Sequence, residues 1–110
     1  MKLPNAKRAV VDIAKLRDYS LNTRHPEGKH KARVFAGALG LSMADAAWLR
    51  EQVLSVAREA DCLLTHRTDH GQRFLIDFDV TFRDKTARLR SAWIIRNGED
   101  FPRMTTCYVL

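Results

Sequence analysis

Apolar side chains recur along this chain at two different periods, and the period changes once, near residue 61. In the first stretch Ile13, Leu16 and Tyr19 fall at helical spacing behind Asp12, whose carboxylate suits an N-cap, and predict a short helix over residues 12–20. Residues 21–28 (Leu-Asn-Thr-Arg-His-Pro-Glu-Gly) are rich in turn formers, and Pro26 biases His25 away from helical geometry, so a loop carries that histidine. Beyond Gly28 the positions Ala32, Phe35, Ala36 and Leu39 follow i, i+3, i+4, i+7 and predict a second helix, with Gly40 as a left-handed stop. Ser42 followed by Asp45 resembles a capping box, and Ala46, Ala47, Leu49, Val53, Leu54 and Val56 carry a third helix to about residue 60, with Trp48 assigned to the core.

After Asp61 the pattern alternates. Residues 62–66 make a short strand, Asp69-His70-Gly71 a turn, and Phe74, Ile76, Phe78, Val80 and Phe82 one face of a second strand. Arg83-Asp84-Lys85 is a hairpin connection, residues 86–96 a third strand, Asn97-Gly98 a tight turn and residues 104–110 a fourth strand. The expected fold is therefore α+β, one domain over residues 1–110, with a helical N-terminal half packed on one face of a four-stranded antiparallel meander. On the other face Asp77, Asp79 and Thr81 would meet the row Arg88, Arg90, Ala92, Ile94 and Arg96, where cross-strand ion pairing is expected.

Charge adds direction to this picture. Among 110 residues, 19 Lys and Arg against 13 Asp and Glu give a formal charge of +6, which favours encounter with polyanions. No apolar run approaches the roughly 20 residues of a bilayer span, and the basic start lacks a signal-peptide core, so a cytoplasmic protein with no membrane contact is expected. The two cysteines, Cys62 and Cys107, lie in apolar stretches and read as free packing thiols. His66 and His70 straddle a turn and do not share a helix face, so no metal and no other cofactor is expected.

The basic residues cluster in two windows. Lys29, His30, Lys31 and Arg33 open the second helix, where each cation opposes the helix dipole by about 0.3–1 kcal/mol. An anion would relieve that conflict, and free backbone amides at the helix start would complete a phosphate site. The second window holds Arg83, Lys85, Arg88, Arg90 and Arg96, and the two are expected to share one cleft.

The segments Lys15-Leu16-Arg17-Asp18-Tyr19-Ser20-Leu21-Asn22 and His25-Pro26-Glu27-Gly28-Lys29-His30-Lys31-Ala32-Arg33-Val34-Phe35, with the ending Glu99-Asp100-Phe101-Pro102-Arg103 and Thr105-Thr106-Cys107-Tyr108-Val109, resemble an uncharacterised bacterial domain family of this size. Similar His-Pro-x-Gly-x-x-Lys-Ala-x-x-Phe blocks occur at the C-termini of secreted bacterial toxins, which implies a toxin-like domain. The architecture is also similar to the metal-independent ribonucleases grouped around barnase, EndoU, colicin nucleases and RelE, and implies cleavage of RNA at a site on the sheet face and adjoining helix. Such chemistry needs a base for the ribose 2′-hydroxyl, an acid for the leaving oxygen and cations for the phosphorane. His25 is the candidate acid/base, Lys31 and Arg90 the phosphate stabilisers, and Thr106 and Tyr108 the positioning or proton-donating groups. Lys29, His30, Arg33, Arg88, Arg96 and Arg103 are the candidate nucleic-acid contacts. The competing expectation is a non-catalytic basic module that grips nucleic acid or an acidic, antitoxin-like partner protein.

Overall fold

The computed structural model describes residues 1–110 and follows the predicted order, helices first and strands afterwards. Asp12 accepts the Ala14 amide at 3.0 Å and starts α1 (Ile13–Lys15). The expected helix does not continue in α geometry: residues Leu16–Ser20 form a π turn closed by Leu21 N–H donating to the Leu16 carbonyl at 2.8 Å. The wider turn keeps Leu16 and Ser20 fully buried while Asp18 and Tyr19 stay on the outside. Helix α2 (Lys29–Leu39) ends where Gly40 turns left-handed at φ 73°, its amide bonded to Ala36 O, the closure of a left-handed stop, with the Leu41 amide reaching Phe35 O at 3.4 Å. A 3₁₀ turn, Met43–Asp45, leads into α3 (Ala46–Glu59), and the Asp45 carboxylate reaches back to the Ser42 amide at 2.9 Å. No helix is long and apolar enough to cross a membrane.

Strands β1 (Leu63–Thr68), β2 (Gly71–Phe82), β3 (Lys85–Arg96) and β4 (Arg103–Val109) form one antiparallel sheet in the order β1-β2-β3-β4. Phe74, Ile76, Phe78 and Val80 on β2 pair with Trp93, Ser91, Leu89 and Ala87 on β3, so these two rows form the buried face, against which the helices pack. Trp93 and Leu89 are completely buried. The one hydroxyl inside this wall, Ser91, accepts from Trp93 Nε1 at 2.9 Å and donates to the Ile76 carbonyl, so both polar groups enter the core satisfied. Trp48, read as core from its helical position, packs half-buried against the edge of that core, tilted against Phe82 with ring centroids 4.7 Å apart. Both cysteines are free and buried, and burial pushes the Cys107 thiol up to about 12.

Two irregularities sit on β4. Ala92 pairs with Thr106 but Trp93 pairs with Met104, which leaves Thr105 as an extra residue in a bulge. At its start the strand's outer edge is covered by Val10, which bridges to Arg103 and bonds to Pro102 and Met104. The bulge falls where α1, the π turn and the histidine loop come down on the sheet edge.

Candidate functional site

Four chain segments close around a hollow of about 510 Å³ beside β4. α1 and the π turn contribute Ala14, Lys15, Asp18 and Tyr19, the loop His25, the first turn of α2 Lys31, and the bulge Thr105 and Thr106. Three residues singled out by sequence, His25, Lys31 and Thr106, therefore line one cavity although up to 81 positions separate them.

The histidine is held by its own loop. Nδ1 accepts the amides of Glu27 at 3.0 Å and Gly28 at 2.9 Å, while the His25 carbonyl accepts the Lys29 amide. His25 thus fastens the turn that leads into α2, and no side chain caps the helix itself. With the Nδ1 lone pair committed, the proton of the neutral ring resides on Nε2, the nitrogen left to face a ligand. The Tyr19 ring meets the imidazole edge-on, centroids 4.7 Å apart and planes at 69°. Gly28 permits this approach: a Cβ there would lie 2.2 Å from the Tyr19 carbonyl oxygen.

Lys31 reaches across the same space. Its ammonium lies 5.0 Å from the centroid of Tyr19 and 5.7 Å from that of Tyr108, and no carboxylate lies within ion-pair distance of it. Two aromatic faces supply some stabilisation, about 0.5–1 kcal/mol each at exposed sites, without neutralising the charge. Lys15 is likewise without an acidic partner. Asp18 is the only carboxylate on the wall, and Arg17 grips it through two bonds of 2.9 and 3.0 Å that hold it below the usual carboxylate range. The Thr106 hydroxyl is buried and has no hydrogen-bond partner.

The arginines of the sheet behave differently. Arg90 forks onto Asp77 at 2.8 and 2.9 Å, Arg88 bonds Asp79 at 3.1 Å, and Arg103 forks onto Glu99 at 2.9 and 2.8 Å. The Arg90 pKa is raised, first by its hydrogen bond to Asp77 and then by Tyr108 alongside. Tyr108 pairs with Arg90 across the strands and lies under Lys31, so it links the hollow to the arginine row, but Arg90 itself does not line the cavity. Lys29, His30 and Arg33 lie on the same helix start outside the hollow, and Arg96 lies on a neighbouring one. Sequence analysis passed over Lys15, Asp18, Tyr19 and Thr105. The first three stand at i, i+3 and i+4, a polar stripe that the periodicity already contained, whereas the bulge that presents Thr105 leaves no signature in an alternating strand.

Comparison with known families gives one match. The family model described as a domain of unknown function, DUF6883, covers residues 2–110. The chain belongs to that family. No curated protein matches the chain. The family match takes in the whole of the hollow, from Lys15 through the His25 loop to Thr106, together with the sheet that carries it.

Proposed function

We propose that this DUF6883 domain acts on RNA, holding a phosphodiester in the hollow between His25 and Lys31 and cleaving it without a metal. The observation that carries the reading is the convergence on one cavity of an unpaired ammonium and an imidazole fixed through Nδ1, both from residues 25–31, with the Thr105-Thr106 bulge from the far end of the chain. Two lysines, Lys15 and Lys31, give the cavity a positive balance over Asp18, so a phosphate finds charge and directed donors together. Lys31 would hold the non-bridging oxygens and stabilise the added charge of the phosphorane, and His25 would give its Nε2 proton to the leaving 5′-oxygen as the bond from the 2′-oxygen to phosphorus forms and the bond to the 5′-oxygen breaks. Asp18, ionised and at the wall, is the group available to take the proton of the ribose 2′-hydroxyl, a role that geometry withholds from His25 because its basic nitrogen is occupied. Arg90, paired to Asp77, stands outside this set and orients Tyr108. The toxin-like sequence block of residues 25–35 contains both His25 and Lys31 and supports the same reading.

A second reading, a basic module that grips RNA or an acidic partner protein without cutting, is favoured by the Arg17–Asp18 fork, which makes Asp18 a weak base. One experiment separates the two. Purified protein is incubated with total RNA in chelator, beside Lys31→Ala and Asp18→Asn. The nuclease reading expects cleavage by the wild type and its loss in both variants. Binding by the wild type with no cleavage, abolished by Lys31→Ala, selects the non-catalytic reading, and neither binding nor cleavage overturns RNA as the ligand in both readings.

A further inference from the structure

On the open face of the sheet, next to the first hollow, lies a second of about 510 Å³, and the two share the bulge residue Thr105 as a wall. Its cations are Arg73 on β2 and Arg96 at the end of β3, with His70 from the β1–β2 turn beside them and Asp69 as the one carboxylate. Neither Arg73 nor Arg96 takes part in any ion pair, in contrast to Arg88, Arg90 and Arg103 on the same face. Arg88 and Arg90 are neutralised across strands by Asp79 and Asp77, and Arg103 by Glu99 in the β3–β4 connection, whereas Arg73 and Arg96 have no carboxylate within ion-pair distance.

Resting on the RNA reading above, we infer that Arg73 and Arg96 form a second phosphate subsite and that the ligand is a single RNA strand crossing Thr105 from one hollow to the other. A bulge bends its strand and re-aims the neighbouring side chains, and here it sets the Thr105-Thr106 pair between the two cavities. A lone phosphate or a mononucleotide fills one hollow only. A strand with successive phosphates uses both, so affinity depends on chain length, and binding at each cationic subsite releases counterions.

The test uses labelled 2′-O-methyl RNA, which cannot be cleaved through its 2′ oxygen, as a mononucleotide and as a hexamer, with wild type, Arg73→Gln/Arg96→Gln and Lys31→Ala. Glutamine keeps part of each arginine stem over the buried Ile94, and a thermal melt checks that the fold is retained. The expected result is at least tenfold tighter binding of the hexamer than of the mononucleotide by the wild type. In the double glutamine variant that gain disappears while the mononucleotide still binds, and the slope of log K against log salt for the hexamer falls by about 1.4, the value for two phosphates on a single strand. Hexamer affinity within twofold of wild type in the glutamine variant, with loss in Lys31→Ala, overturns the second subsite and leaves the first intact. No binding of either probe by the wild type removes the RNA reading, and this inference with it.

Discussion

Gly28 donates its backbone amide to Nδ1 of His25 at 2.9 Å, and the same nitrogen takes the Glu27 amide, so the imidazole is both the cap of the turn that leads into α2 and the wall of the hollow. The two duties belong to opposite nitrogens, and substitution can separate them. Asparagine places its carbonyl oxygen near the Nδ1 position and has nothing at Nε2. His25→Asn is therefore expected to melt within about 0.5 kcal/mol of wild type and to lose RNA binding, whereas His25→Ala loses the cap as well, at about 1 kcal/mol. Chemical denaturation beside RNA titration reads both. Equal stability of the Ala and Asn variants would remove the capping role.

Gly28 is required by proximity, not by an unusual backbone angle. Its φ is helical at −76°, but a Cβ would sit 2.2 Å from the Tyr19 carbonyl oxygen and 2.8 Å from its carbon, both backbone atoms that cannot swing aside. Gly28→Ala must push the histidine loop off the π turn, which carries Tyr19 away from His25 and Lys31. The expected cost is about 1–3 kcal/mol in denaturant unfolding, the range for forcing extra atoms into packed structure, where a helix-interior Gly→Ala change would ordinarily stabilise. Gly37 on α2 has open space around it, so Gly37→Ala serves as the control and is expected to stabilise by about 1 kcal/mol or less.

The elements themselves were legible because burial enforces periodicity: Phe74, Ile76, Phe78 and Val80 had to face one way, and that choice also put Arg88, Arg90 and Arg96 outside. His25 and Lys31 were readable as site residues because a Pro-flanked loop next to a cationic helix start is a local conflict in the sequence. What could not be read is which charges stay unpaired. Arg90 and Arg96 occupy the same face of the same strand, and only the register, Asp77 opposite Arg90 but Gly71 opposite Arg96, decides that one is neutralised and the other is not. The π turn was likewise hidden, since Leu16 and Ser20 satisfy an ordinary helical spacing equally well.

The Arg90–Asp77 fork makes part of the fold's stability depend on acid. Asp77 is held below the usual carboxylate range by its hydrogen bond from Arg90, so the folded state binds this proton more weakly than the unfolded chain does. The resulting stabilisation is complete above the ordinary aspartate pKa and is lost as the pH falls through the depressed folded value. Both side chains are about one-third exposed, so the contribution at neutral pH is about 1 kcal/mol or less. Asp77→Asn is expected to lower the melting temperature at pH 7 and to melt closer to the wild type at pH 2. A gap between the two proteins that stays constant from pH 7 to pH 2 would mean that the pair carries no proton linkage.

Thr106 sets stability against function within one side chain. Its methyl and hydroxyl are held at the bulge, and the hydroxyl is buried without a partner, a state that costs about 1–3 kcal/mol when nothing satisfies the group. Valine has nearly the same shape and no polar atom to desolvate, and its β-branching suits a strand. Thr106→Val is therefore expected to raise the unfolding free energy by up to about 1 kcal/mol, since the small cavity change offsets part of the gain. In the RNA reading the Thr106 side chain rotates to bring its hydroxyl from the buried position into the hollow, where a phosphate oxygen becomes its partner, so the same substitution weakens RNA binding by about fivefold to tenfold, the equivalent of a lost hydrogen bond of about 1–1.4 kcal/mol. Thr106→Ser separates the effects: it keeps the hydroxyl and is expected to bind RNA near the wild-type level while losing stability with its methyl group. A valine variant that is both more stable and equally avid would show that the hydroxyl serves no ligand.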